Sequence, residues 1–146
     1  MKFFLGISFL AVILFSSCKK DDPTPTCTLS ATSIIGTYKT TASTTQANAQ
    51  APIVNDYATW DACEKDDLIT FSAGNVLSFS EGATSCNPPT DPFSATWTLT
   101  GNSLVISFMG FVLPAATISD FTCNSFKITN IDATTGEISV TTVTKQ

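Results

Sequence analysis

The sequence predicts an all-β domain, an up-and-down antiparallel barrel of about eight strands. Residues 93–100 alternate strictly between apolar and polar side chains, which is typical of a strand with one buried and one solvated face. Gly74-Asn75 and Gly101-Asn102 separate pairs of such runs, and both residue types accept the positive φ angle of a tight hairpin turn. Many short strands joined by short turns close into a barrel or stack as a sandwich, and we expect the barrel.

The individual strands follow from alternation and from β-branched residues between turn signals. A central hairpin pairs residues 63–71 with residues 76–82. The other predicted strands are residues 34–41, 93–100, 104–108, 115–121, 126–131 and 137–144. The polar connection 42–60 is unusually long, and connections of this kind often cover or flank a binding site. Within residues 93–100, we expect Trp97 to be buried with Ala95 and Leu99.

The first residues have the composition of a targeting segment. Lys2 precedes the apolar run 3–15, and the small residues Ser16 and Ser17 follow it. The run is shorter than the roughly 20 residues that span a bilayer, so residues 1–17 are predicted to be a signal peptide. Residues 18–33 contain prolines, threonines and serines and little apolar material, which indicates a flexible tether. The folded domain is predicted to be residues 34–146.

The charge excludes some classes of function. Without residues 1–17 the chain has six lysines, twelve acidic residues, no arginine and no histidine. Such an acidic chain lacks the basic surface that nucleic acid requires, so no nucleic-acid partner is expected. The absence of histidine removes the side chain most often used for acid–base catalysis and metal binding near neutral pH.

Cys18 directly follows the predicted signal peptide, and four cysteines remain after it. Four is an even number, which is typical of two disulfides in a protein of an oxidising compartment. Three pairings of the four are possible. Counting outward from Gly74, the central hairpin brings Cys63 and Cys86 opposite each other, which favours that pair. Cys27 and Cys123 then remain as the second pair by subtraction.

Cys18 directly after small residues resembles the signal of bacterial lipoproteins, in which that cysteine becomes the acylated first residue. The following Lys19-Lys20-Asp21-Asp22 resembles the export tag of Bacteroidota-type surface lipoproteins. These resemblances imply a lipid-anchored protein of the outer membrane that is exposed at the cell surface.

Gly36-Thr37-Tyr38 resembles the Gly-x-Trp signature of lipocalins, with tyrosine in place of tryptophan. The block from Asp61 through Cys63, Gly82 and Cys86 to Thr96-Trp97 is similar to lipocalin-like domains of Bacteroidota lipoproteins. The resemblance covers residues 34–143, and it implies a lipocalin-like barrel that binds a small ligand.

Aromatic side chains that point into such a barrel are the candidate ligand contacts, and an eight-stranded barrel is just wide enough for one small ligand. The candidates are Tyr38, Phe71, Phe79, Trp97, Phe108 and Phe126. The alternative is that these residues are simply the core of a filled barrel. The apolar stretch 109–114 is either a lip that contacts a ligand or partner protein, or part of a continuing strand.

Candidates for catalysis and metal binding are weak. Asp61, Glu64, Asp66 and Asp67 offer oxygen ligands for calcium, but they lack the order of a known calcium loop and Lys65 interrupts them. The serines have neither a histidine nor a Gly-x-Ser-x-Gly elbow, and the carboxylates Asp61 and Glu81 form no recognisable pair. We therefore predict no enzyme activity, no metal and no cofactor.

Two functions remain after sequence analysis. The first is a surface-anchored module that binds a small apolar or amphiphilic ligand. The second is an accessory envelope lipoprotein with a filled interior that contacts a partner protein through its rim. The sequence does not predict an oligomeric state.

Overall fold

The computed structural model describes residues 27–89 and 91–146, and these form a single antiparallel sheet closed into a barrel. In chain order the strands are β1 (Gly36–Gln46), β2 (Val54–Asn55), β3 (Leu68–Ser72), β4 (Val76–Ser80), β5 (Phe93–Thr100), β6 (Ser103–Phe108), β7 (Phe111–Val112), β8 (Ala116–Ser119), β9 (Ser125–Ile131) and β10 (Ile138–Lys145). Eight of them form the barrel, which closes because β1 pairs with both β3 and β10. The short strands β2 and β7 extend the sheet beside β1 and β6. The predicted all-β barrel is confirmed.

The two ends of the barrel differ in their connections. At one end, termed the closed end, tight turns join β3 to β4 and β5 to β6, and residues 120–124 join β8 to β9. At the other end, termed the mouth, lie the longer connections 47–67 and 81–92, the turn 132–137 and the hairpin turn at Met109 and Gly110. Both residues of this hairpin turn have positive φ, as a type I′ turn requires. The mouth is therefore the end with room for a site.

The closed end is filled by aromatic side chains. Tyr38, Phe71, Trp97 and Phe126 are all at most 2% exposed. Their rings meet edge to face, with centroids 5.9 Å apart for Tyr38 and Phe71 and 5.4 Å apart for Phe71 and Trp97. The polar atoms of these rings have hydrogen-bond partners, because the Tyr38 hydroxyl donates to the Ile34 carbonyl and the Trp97 indole donates to the Val76 carbonyl. The predicted burial of Trp97 is confirmed.

The chain enters the domain at the closed end. Cys27 is bonded to Cys123 with the Cα atoms 5.3 Å apart, Leu29 packs against the core, and Ile34 is fully buried. Residues 27–33 of the predicted tether are thus held against the barrel. The predicted signal peptide 1–17, Cys18 and the tether up to residue 26 lie outside the described residues. In the part of the chain that is described, no helix combines the length and apolar character needed to cross a bilayer.

Strand β1 starts two residues later and ends five residues later than the predicted strand 34–41. Residues 42–46 read as polar loop, but they pair with β10 as far as Gln46 opposite Ile138. Thr40 and Ser43 on this strand are buried in spite of their hydroxyl groups. Polar side chains on the inner face remove the alternation of apolar and polar residues that marks a strand. Backbone pairing with β10 therefore determines where β1 ends.

The segment before β3 also differs from the predicted hairpin strand 63–71. Ala62–Lys65 form one turn of helix, α1, and β3 begins only at Leu68. The Glu64 carboxylate accepts a hydrogen bond from the backbone N–H of Asp61 at 2.7 Å, which completes the Asp-x-x-Glu pattern of a capped helix start. Asp56–Ala58 add a turn of 3-10 helix upstream.

Candidate ligand-binding site

The mouth holds an apolar cavity of about 420 Å³ between β4, β5, β6 and Leu113, which follows β7. Its lining residues are all apolar and comprise Phe79, Phe93, Ala95, Ile106, Phe108 and Leu113. Small-molecule sites in proteins typically have volumes of roughly 300–1,000 Å³ and mostly apolar walls. The cavity is therefore of a size and character that suits a small apolar group.

Three aromatic rings form one wall of this cavity. The Phe79 and Phe93 rings stack with centroids 4.4 Å apart, and the Phe108 ring meets Phe93 edge-on at 5.1 Å. Phe93 is 40% exposed, in contrast to the fully packed rings at the closed end. These rings are positioned by strand alternation, which turns every second residue of β4, β5 and β6 inward. The wall is pre-formed and partly open to solvent.

A second cavity of about 290 Å³ adjoins the first, because Phe79 lines both. Its other lining residues are Thr40, Trp60, Glu64, Asp67 and Ile69. A smaller space of about 100 Å³ touches Phe79, Phe93, Asp67 and Asp91. The mouth thus has an apolar side and a side that carries carboxylates, a hydroxyl and an indole ring.

Asp67 is electrostatically unusual among these residues. Burial raises the pKa of its carboxyl, and the negative charges of Glu81, Asp66 and Glu64 raise this pKa further, while a hydrogen bond from the Gly82 backbone N–H lowers it. Its Oδ1 is buried and has no hydrogen-bond partner among the described residues. The proton is bound more tightly in the folded chain than in the unfolded one, so the stability that the protonated group contributes is lost as pH rises through the raised pKa. Ionised Asp67 therefore costs stability at neutral pH.

The lysine next to these carboxylates in sequence contacts an aromatic ring. Lys65 lies next to them in sequence, but its Nζ lies 5.4 Å from the centre of the Tyr57 ring, in cation–π range. Within residues 27–89 and 91–146, the ion pair between Lys127 and Asp120 is the one salt bridge, and it lies near the closed end. The same residues contain no group of three or more acidic, cysteine or histidine side chains arranged to hold a metal ion.

A disulfide, a close backbone contact and a hydrogen bond hold the carboxylate-bearing side of the mouth in place. Cys63 on α1 is bonded to Cys86 in the loop after β4, with the Cα atoms 5.2 Å apart. Gly82 lies so close to the Asp66 carbonyl that a Cβ atom would overlap it, which leaves glycine as the residue that fits there. The Asp66 carboxylate in turn accepts the Thr84 N–H at 2.9 Å. Both predicted disulfides, Cys63–Cys86 and Cys27–Cys123, are present.

The structure divides the six predicted ligand contacts into two groups. Phe79 and Phe108 line the cavities, whereas Tyr38, Phe71, Trp97 and Phe126 belong to the packed core at the closed end. Trp60, Asp67, Phe93, Ile106 and Leu113 line the cavities and are absent from the predicted contacts. Alternation in β5 and β6 turns Phe93 and Ile106 inward, but it does not give their height in the barrel.

The continuing strand predicted for the stretch 109–114 is present in part, and a contact of this stretch with a ligand or partner protein stays a prediction. Phe111 and Val112 continue the sheet as β7, paired with Phe108 and Ser107. Met109 and Phe111 are 80% and 74% exposed, while Leu113 reaches the apolar cavity. The stretch is therefore a hairpin whose tip projects from the mouth and whose base forms part of the cavity wall.

A comparison with protein-family models matches residues 34–145 to the lipocalin-like domain. No curated protein sequence matches the chain. The matched region contains all ten strands and the mouth cavities, and its eight-stranded closed barrel is the fold that the match implies. This chain belongs to the family of proteins with a lipocalin-like domain.

Proposed function

We propose that this protein binds a small apolar or amphiphilic ligand in the mouth of its barrel, and that it acts as a binding protein rather than an enzyme. The observation that carries the proposal is the apolar cavity of about 420 Å³ beneath the mouth. The closed end is packed solid, so a ligand enters and leaves through the mouth. Family membership supports the same function, because lipocalin-like barrels are suited to holding small ligands.

Replacing Leu113 by glutamine tests this function. Leu113 is 48% exposed, so the introduced amide is hydrated until a ligand covers it. We expect about three- to tenfold weaker binding of the neutral dye Nile red, because the bound dye removes that hydration and the apolar wall does not replace it. Titration of the dye by fluorescence measures the dissociation constant.

The adjacent Val112→Gln variant is the matched control. Val112 is 70% exposed and lies outside the cavity lining, so this variant should bind Nile red as the unmodified protein does. Equal affinities for both variants, or no saturable binding by the unmodified protein, would count against the mouth as the site.

We also propose that acylated Cys18 anchors the domain to the outer membrane, with the domain exposed at the cell surface. The sequence pattern around Cys18 supports this. A single acyl chain holds a protein only marginally, so stable anchoring requires the several chains of this modification. We expect Cys18→Ala to move the protein from the membrane fraction to the soluble fraction. A Cys18→Ala protein that stays with the membrane, together with a native protein lacking acyl mass, would refute the anchor.

The exposed hairpin tip supports a second function, contact with an envelope protein. Met109, Phe111 and Val112 present apolar side chains to solvent, and such patches often mark protein-binding surfaces. Val112→Gln separates the two functions, since it alters the tip and leaves the cavity wall intact. Loss of a co-purifying protein from this variant, with unchanged dye binding, would favour the second function.

A further inference from the structure

The two cavities at the mouth meet at one ring, and their chemistry is opposite. On one side of Phe79 every lining residue is apolar. On the other side Asp67 and Glu64 line the space together with the Trp60 indole. A ligand that fills both cavities needs an apolar part on one side of the Phe79 ring. On the other side it needs a part that interacts favourably with carboxylates and an aromatic ring.

We propose that the mouth selects amphiphilic cations, that is, molecules with an apolar chain or ring and a protonated amine, with the amine placed beside Asp67. This inference rests on the proposed ligand-binding function and names its ligand class. A carboxylate forms a charge-assisted hydrogen bond with an ammonium group, and an indole ring attracts the same cation.

The apolar cavity and the state of Asp67 together support a ligand over a purely structural role. Asp67 has a buried oxygen without a hydrogen-bond partner among the described residues, and its acidic neighbours oppose its ionisation. Such an arrangement costs stability, and proteins keep costly polar groups mainly at functional sites. Lys65, the nearest cation in sequence, lies over Tyr57 and leaves the carboxylate side of the cavity without a lysine in its lining.

Three ligands of equal chain length separate the contributions of the chain and the charge. Octanol, octylammonium and octanoate share one alkyl chain and differ in the charge of the head group. We expect octylammonium to displace Nile red with a dissociation constant about tenfold lower than that of octanol, and octanoate to bind most weakly. The basis is that an ion pair near a protein surface gains more Coulomb energy than in bulk water, and desolvation cancels part of it.

The variant Asp67→Asn tests the assigned residue. It keeps the side-chain shape, so octanol should bind unchanged while the tenfold preference for octylammonium falls to about twofold or less. It should also unfold at a higher urea concentration at neutral pH, which shows that loss of preference is not loss of fold. Glu137→Gln is the control, because it removes one exposed carboxylate at the same end of the barrel and should leave the preference intact.

Lowering the pH is a second test of the role of the Asp67 carboxyl. Asp67 faces Glu81, Asp66 and Glu64, whose charges raise its pKa, and the Gly82 N–H, which lowers it. Protonation removes the charge, so the preference for octylammonium over octanol should shrink as pH falls through that raised pKa. In Asp67→Asn the preference should not depend on pH over the same range.

The outcomes distinguish this inference from the function on which it rests. If none of the three ligands displaces the dye, both are overturned. If octanol binds but octylammonium binds no more tightly, ligand binding stands and the selection of cations is wrong. If Asp67→Asn keeps the tenfold preference, the preference does not come from Asp67, and the assignment of the amine to that residue is wrong.

Discussion

Phe71→Ala is expected to lower the free energy of unfolding by about 3–5 kcal/mol, the usual cost of truncating a buried aromatic residue. Phe71 is 1% exposed and its ring contacts Tyr38, Trp97 and Phe126. Removing the ring leaves a cavity at the centre of the closed end, and the surrounding rings cannot collapse into it without breaking their edge-to-face contacts. Urea unfolding followed by tryptophan fluorescence measures the change.

Phe111→Ala is the matched control for this prediction. It removes the same side chain from a position that is 74% exposed, so it should change the free energy of unfolding by less than about 0.5 kcal/mol. If the two variants lost similar stability, the closed end would not be the packed core of the domain.

Removal of the Cys27–Cys123 disulfide is expected to have an effect of similar size. The bond spans 96 residues, and the loop-entropy relation gives about 4.7 kcal/mol of stabilisation for a loop of that length. The double variant Cys27→Ser/Cys123→Ser should therefore lose roughly a third or more of the stability of a typical domain, which is about 5–15 kcal/mol. Urea midpoints under non-reducing conditions measure the loss.

Cys63→Ser/Cys86→Ser provides the comparison, because its bond spans only 23 residues and corresponds to about 3.5 kcal/mol. The longer loop should cost more when it is opened. The reverse order would show that local packing around α1, and not chain entropy, dominates the contribution of these bonds.

Strand alternation predicted most of the barrel, because one face of each strand packs inward and the other is solvated. The same rule failed at residues 42–46, where the buried Ser43 continues the inner face from Thr40 and no apolar residue marks the inner side. It also failed at Cys63, where the start of the predicted strand is one helical turn whose Asp61-x-x-Glu64 start was readable in the sequence. In both places the deciding contacts come from residues far along the chain or from helix capping.

The candidate site was predicted only in part, for a geometric reason. Alternation tells which side chains point into a barrel, but not how far each lies from its closed end. Trp97 and Phe93 have the same parity on β5, yet Trp97 is in the core and Phe93 is at the mouth. The neighbours of each residue depend on register, since Trp97 pairs with Ile106 of β6 while Phe93 pairs with Phe79 of β4. Register is set by cross-strand pairing, which the alternation of residues within one strand does not reveal.

The Cys27–Cys123 bond also fixes a direction. The N-terminal segment leaves the domain at Cys27, beside the end of the barrel that is packed with aromatic rings. Nine peptide units separate residues 18 and 27, a reach of at most roughly 30 Å. In a domain anchored at residue 18, as proposed above, the mouth would therefore lie at the end of the barrel remote from the point of attachment. A ligand of the proposed kind would reach the mouth from the side that the tether leaves clear.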